Sequence, residues 1–406
     1  MSQELVEPAS TAVAPGEAPA PLDAASVLPR PAAAGWSSLP CDLVRRVADC
    51  FLDTNDVDWY MDLRAVCHSW RSATDDPRKS TSDTRFHPRA WIVLNDGVSQ
   101  TDDMRVFVNI VTGRFLRKKL PLLRRYYVVA ITFGGFFVLA DRSRPHAARV
   151  LNPFTGDMVC FVAPVPRDSL AVVAVFFIDG DSQPNLTLLC DTPGEHSTAV
   201  PDSKRFVAHR DNEAIYNYMR KAVVGGVYTN GGRWASVSSG DLFASLQKLM
   251  EMLHVDFAKF FRNDAFAHDP SDIRCFMLDF GGQVMFIMKA YGHVQVLGID
   301  PEKQALVAVG TMGRYAVFIG HQRCLVIDAG KFPSVDANCV YYTLRVGPGA
   351  CIWKYNINDR THRMVSDEFD FIKQEGQFVL VAARPFTIIQ ILCSCTINPR
   401  RSELAW

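Results

Sequence analysis

The sequence predicts an α+β chain in which a small N-terminal helical unit precedes a mostly antiparallel all-β domain, an irregular β-propeller with one inserted helix. Three observations carry this reading. Apolar residues recur at helical spacing between Trp36 and Thr74. After Asp83 the pattern changes to short β-branched and aromatic runs divided by turn residues. From Asp241 to Arg262 helical spacing returns once. The expected divisions are a tail at 1–35, a helical module at 36–82, a β-domain at 83–392, and a C-terminal tail or closing segment at 393–406.

Residues 1–35 are rich in Ala and Pro, with Glu4, Glu7, Glu17 and Asp23 ahead of the first basic residue, Arg30. Neither a secretory signal nor an Arg-rich transit peptide fits, and the stretch reads as a disordered tail. In the helical module, Leu43, Val44, Val47, Cys50 and Phe51 form one apolar stripe, and Tyr60, Leu63, Val66, Cys67 and Trp70 form another. Pro40 and Asp42 suit the start of the first helix. Asp53, Asn55 and Asp56 supply turn and capping chemistry between the helices, and Asp75, Asp76 and Pro77 end the second. A unit of about forty residues buries little surface by itself, so part of its apolar face is expected to be an interface.

The ordered set Leu39-Pro40-x-Asp42-Leu43 followed by Leu63-Arg64-x-Val66-Cys67-x-x-Trp70-Arg71 resembles the F-box, the helical module that docks on the Skp adaptor of cullin-based ubiquitin ligases. The resemblance implies that Leu39, Pro40, Leu43, Val44 and Val47 face that adaptor. It implies too that Leu63, Val66, Cys67 and Trp70 are shared between that face and the module's own packing. The chain departs from the common pattern in a longer loop between the helices and in Trp59-Tyr60, where an Asp-Leu pair is usual.

In the β-domain, runs such as Trp91 to Leu94, Tyr126 to Ile131, Tyr315 to Ile319 and Phe378 to Ala382 read as strands. Asn152-Pro153-Phe154-Thr155-Gly156, Asp179-Gly180-Asp181 and Asn358-Asp359-Arg360 read as tight turns between antiparallel neighbours. Many short strands must dispose of their edges, and radial blades do so economically, although a pair of sandwiches fits the same pattern. The helix at 241–262 is expected to pack its apolar stripe on the β-domain. Val309-Gly310-x-x-Gly313-Arg314-Tyr315 and the segments after it, through Asn338-Cys339-Val340-Tyr341-Tyr342, are similar to the uncharacterised kelch-like β-domain that follows the F-box in a large group of plant proteins.

Composition narrows the remaining function classes. Lys plus Arg and Asp plus Glu number 43 each, so no global field favours nucleic acid or anionic lipid. The densest basic stretch, Arg114, Arg117, Lys118, Lys119, Arg124 and Arg125, is expected to be a solvated loop between strands. The apolar stretches 126–140 and 170–178 are too short or too interrupted to span a membrane. The 11 cysteines show no C-x-x-C pair. Cys393 and Cys395, on a strand, would share one face too closely to chelate zinc, and the irregular spacing suits reduced thiols in the cytoplasm, the nucleus or both. Gly330-Lys331 lacks the rest of a phosphate loop, Gly225-Gly226, Gly231-Gly232 and Gly281-Gly282 read as hairpin turns, and no G-x-S-x-G or H-E-x-x-H occurs. His254, Asp256, Asp264, His268, Asp269 and Asp272 fall across a helix end and a loop and make a poor metal or acid/base set. No catalytic, cofactor-binding or metal-binding residue is expected. The expected function is a non-catalytic adaptor whose partners are a Skp adaptor, through it a cullin, and a substrate protein that the sequence does not identify. A propeller enzyme or small-molecule binder, and a scaffold outside any ligase, are the alternatives.

Overall fold

A computed structural model describes residues 35–397 except 80, 95–102, 133–134, 167–170, 178–182, 191–194, 211–273, 281–282, 291–292, 301–304, 321–323, 347, 367 and 375–376. The expected tail through residue 34, the helix at 241–262, the turns at 179–181, 225–226, 231–232 and 281–282 and the His254 to Asp272 cluster lie outside the described residues, as does the stretch after Ile397. The chain divides into two compact units, Met1–Leu39 and Pro40–Trp406. In the first, Trp36–Ser38 form a single 3-10 turn.

The second unit begins with three helices, α1 (Cys41–Asp53), α2 (Val57–Val66) and α3 (His68–Ala73). Asp56 caps α2, accepting the Trp59 amide at 3.3 Å. The second amphipathic stripe, expected as one helix, is two, because Cys67 is extended at φ −159° and ψ 170°. Two arginines stabilise this break. The buried Arg64 donates to the carbonyls of Arg71, Thr74 and Asp75 at 3.2, 2.7 and 2.6 Å, while Arg71 Nε donates back to the Arg64 carbonyl at 3.1 Å. The Arg64 and Arg71 carbonyls fall in the last turns of α2 and α3, where helical partners run out, so the guanidinium groups act as caps there and tie in the Thr74 and Asp75 carbonyls just beyond.

Five sheets follow among the described residues. The first holds β1 (Trp91–Leu94), β2 (Met104–Asn109) and β3 (Phe115–Lys119). The second is a four-stranded meander of β4 (Tyr126–Ile131), β5 (Phe137–Asp141), β6 (Ala147–Leu151) and β7 (Met158–Pro164). The third contains β8 (Ala171–Phe177), β9 (Asn185–Cys190), β10 (Glu195–Ala199) and β11 (Val207–Arg210). The fourth contains β12 (Arg274–Phe280), β13 (Gln283–Ala290), β14 (His293–Asp300) and β15 (Ala305–Ala308).

The fifth sheet holds β16 (Tyr315–Ile319), β17 (Cys324–Asp328), β18 (Cys339–Val346), β19 (Gly349–Asn356), β20 (Thr361–Met364), β21 (Phe371–Gln374) and β22 (Gln377–Leu380). Every pair is antiparallel except β16 with β18. The cores link these sheets face to face. One cluster joins the first, fourth and fifth sheets through Val108, Ile287 and Phe318, a second joins the second and third through Val138 and Leu188, and a third packs Val57 of α2 with Trp91, Phe107, Phe137 and Phe154.

Two expectations are corrected here. The basic stretch is not a loop: its first half is β3, register-paired to β2 from Met104↔Lys119 to Val108↔Phe115. The segment holding Cys393 and Cys395 is not a strand but a helix, α4 (Ile388–Ile397), so the expected boundary at 392 falls inside an element. Ile389, Leu392, Cys393 and Ile397 are buried in the cluster that joins the fifth sheet to the first, and that burial overrides the strand preference of β-branched residues. The approach is close enough that a Cβ on Gly320 would overlap the Thr396 carbonyl.

Candidate functional site

The apolar residues assigned to partner binding divide into exposed and inward-facing groups. Leu43 and Val47, one helical turn apart on α1, are 40% and 42% exposed, and Val66 at the end of α2 is 58% exposed. Pro40 and Cys50 are exposed beside them in sequence, and Cys67 and Trp70 are half-buried. Leu39, in the preceding unit, is half-buried. Val44, expected at the surface, is 1% exposed, and Leu63 is 5% exposed. Both belong to the packing of the three helices, because on α1 the positions of Val44 and Ala48 face α2 and α3 while Leu43 and Val47 lie roughly 100° around the helix from them.

Residues that the sequence marked only as turn chemistry fix the helices to the β-domain. Asn55 is buried in the left-handed region at φ 53°. Its Nδ2 donates to the His87 carbonyl at 2.7 Å, its Oδ1 accepts the Ala90 amide at 2.8 Å, and its carbonyl accepts Trp91 Nε1 at 2.8 Å. Asn109 Nδ2 reaches the Thr54 carbonyl at 3.2 Å. Beside this bridge, Arg114 Nη2 lies 2.8 Å from Asp56 Oδ1 and 2.9 Å from Asp58 Oδ2, and Lys118 Nζ lies 2.6 Å from Asp58 Oδ1. The Arg114 guanidinium is 4.4 Å from the Trp59 ring centre and 5.0 Å from that of Trp91. The connection between α1 and α2, through Asn55 and Asp56, and Trp59 and Asp58 at the start of α2 are therefore parts that grip the β-domain.

Burial pushes the Asp56 carboxyl above its ordinary value, outweighing the attraction of Arg114. Buried ion pairs in general return little net stability after desolvation, which suits these contacts to fixing orientation. Farther along, a recess of about 300 Å³ with its open mouth lies between the 77–87 connection and the second sheet, lined by Phe86, His87, Phe136, Asn152 and Asp157. Its enclosed part has room for about one water molecule. Burial pushes the Cys339 thiol up to about 11 and the Cys393 thiol well above its ordinary value, so both are protonated at neutral pH. Among the described residues no helix is long and apolar enough to cross a membrane, and no cluster of three His, Cys, Asp or Glu side chains is arranged to hold a metal.

Sequence reasoning missed Asp58, Arg114 and Lys118 as a group. The signal was two acids at the start of α2 and two cations four apart, Arg114 just before β3 and Lys118 within it, some sixty residues later. No curated protein matches the chain. The KIB1-4 beta-propeller family model matches residues 107–368, from within β2 through β20 and well over half of the sequence, ending before β21 and β22. With antiparallel four-stranded meanders stacked through shared apolar faces, the chain belongs to the KIB1-4 beta-propeller family.

Proposed function

We propose that this protein is the substrate-recognition subunit of a Skp-cullin-F-box ubiquitin ligase, with the three-helix unit docking on a Skp adaptor and the propeller capturing the protein to be modified. The observation that carries this reading is the exposure of the large aliphatic side chains Leu43 and Val47, one turn apart on α1, and of Val66 on α2, in a helical unit anchored to the β-domain by Asn55, Asp56 and Asp58. Large aliphatic side chains left in water on an anchored unit mark an interaction face. In this reading the chain performs no chemistry. It raises the effective concentration of the target beside a charged ubiquitin carrier, and rigid anchoring maintains their separation.

Co-purification of the full chain with a Skp adaptor tests it. Leu43→Asp with Val47→Asp, at positions already in solvent, is expected to abolish adaptor binding while the thermal midpoint moves little. Val44→Ala is expected to lower stability instead, by about 1 kcal/mol. Retention of the adaptor by the double variant sinks the proposal.

A further inference from the structure

The first sheet ends in an open edge of defined polarity. The Asn109 amide donates to the Arg114 carbonyl at 2.8 Å, and the Leu120 amide donates to the Asp103 carbonyl at 2.7 Å. In an antiparallel pair the bonding residues alternate, so Arg114, Leu116, Lys118 and Leu120 aim their main-chain groups at β2. Phe115, Arg117 and Lys119 aim theirs away from it. Among the described residues β3 pairs with β2 alone, and this sheet has three strands where the second, third and fourth have four.

The same three residues have exposed side chains, while Leu116 and Lys118 are half-buried. Three neighbouring cations are neutralised within the chain: Arg114 by Asp56 and Asp58, Lys118 by Asp58, and Arg124 by Asp103 at 2.7 Å. Arg117 and Lys119 remain exposed on the edge strand itself. Cations on an edge repel basic strands and disfavour apolar ones, and a second copy of β3 would bring like charges together. An acidic strand meets the opposite balance.

We infer that the free edge of β3 binds an extended acidic segment of the captured protein by strand addition, with main-chain pairing at Phe115, Arg117 and Lys119 and with acidic side chains opposite Arg117 and Lys119. This rests on the reading of the β-domain as a protein-capturing unit. Edge pairing supplies affinity through the main chain, while the side chains select the sequence.

Fluorescence anisotropy of the full chain with a labelled short peptide of alternating Glu and Val tests the inference. Three probes are compared: the unmodified peptide, the same peptide N-methylated at alternate residues so that it cannot form a ladder, and a peptide with Lys in place of Glu. The unmodified peptide is expected to bind, and the other two to bind about tenfold more weakly or worse. Arg117→Glu with Lys119→Glu is expected to weaken the Glu peptide by about tenfold and to reverse the preference so that the Lys peptide binds more tightly, with an unchanged thermal midpoint because both side chains are solvated.

Equal binding of the N-methylated peptide overturns strand addition. So does stronger displacement of the Glu peptide by a single-stranded RNA than by unlabelled Glu peptide, or self-association of the chain that the double variant abolishes. Absence of peptide binding with adaptor binding retained overturns the edge and leaves the ligase reading standing. Peptide binding with no adaptor binding supports the edge and removes that reading.

Discussion

Two helical pieces are attached to the same stack of sheets with a different balance of forces, the N-terminal one adding a polar bridge to the apolar packing of Val57 and the C-terminal one relying mostly on apolar packing. Around Asn55 the joint is polar: amide bridges to His87 and Ala90 and ion pairs from Asp56 and Asp58 to Arg114 and Lys118. Around α4 the joint is apolar and steric, with Leu392 and Cys393 buried and Gly320 against the Thr396 carbonyl. Apolar packing supplies burial but tolerates small shifts, whereas a donor fixed between two acceptors has one arrangement. The difference teaches that the N-terminal joint is built for orientation and the C-terminal one for cohesion. A unit that presents a partner at a fixed distance needs the first kind.

The largest predicted effect breaks the polar joint. Arg114→Met leaves Asp56 buried without its charge partner and is expected to cost about 3–5 kcal/mol in urea denaturation. Asp56→Asn removes the carboxylate that burial disfavours and retains a side-chain oxygen for the Trp59 amide, so it is expected to cost under about 1 kcal/mol. Equal costs would show that charge does not organise this joint. Asn55→Ala should follow at about 2–3 kcal/mol, from two lost hydrogen bonds and a left-handed backbone. Asn55→Gly, which accepts φ 53° without strain, should recover about 1 kcal/mol of that. Gly320→Ala strikes the other joint, where the obstructing atom is a main-chain oxygen, and is expected to cost about 1–3 kcal/mol. Hydrogen exchange should then quicken in α4 and leave α2 unchanged.

Local periodicity made α1 legible, because Leu43, Val44, Val47 and Cys50 lie within four turns and their spacing requires no distant partner. The break at Cys67 was illegible, since Arg64 and Arg71 stabilise it by bonding carbonyls that exist only once both helices form. Strand β3 was hidden for a related reason. Arg117, Lys118 and Lys119 have weak strand preference, and pairing with β2, with Asp58 holding Lys118, accounts for their positions. Helix α4 was illegible too: Cys393 and Cys395 read as strand positions and the sequence marks no element over 383–392, whereas burial of Ile389, Leu392, Cys393 and Ile397 accompanies a helix there. The exposed strip was partly legible: spacing placed Leu43, Val44 and Val47 on one broad face, but separating Val44 from its neighbours requires the position of the second helix.

The smallest predicted effect titrates the polar joint. His87 offers its carbonyl to Asn55, and its ring sits 2.9 Å from the Thr81 carbonyl and 5.1 Å from the Phe136 ring centre. Burial pushes its imidazole below the ordinary value of 6.5. The unfolded chain therefore takes up a proton that the folded chain refuses, and the stability His87 contributes is full above that ordinary value and is lost as pH falls through it toward the lowered folded value. Asp56 has the opposite sign, because its folded value is raised: its contribution is full below the ordinary 3.8 and is lost as pH rises through the raised value. Urea midpoints measured across mildly acid to neutral pH should fall on acidification in the native chain. In His87→Phe, which retains a ring against Phe136, that part of the slope should vanish, and the difference between the two curves isolates the imidazole from every other titrating group. A difference curve that stays flat would place His87 in solvent and detach it from the joint.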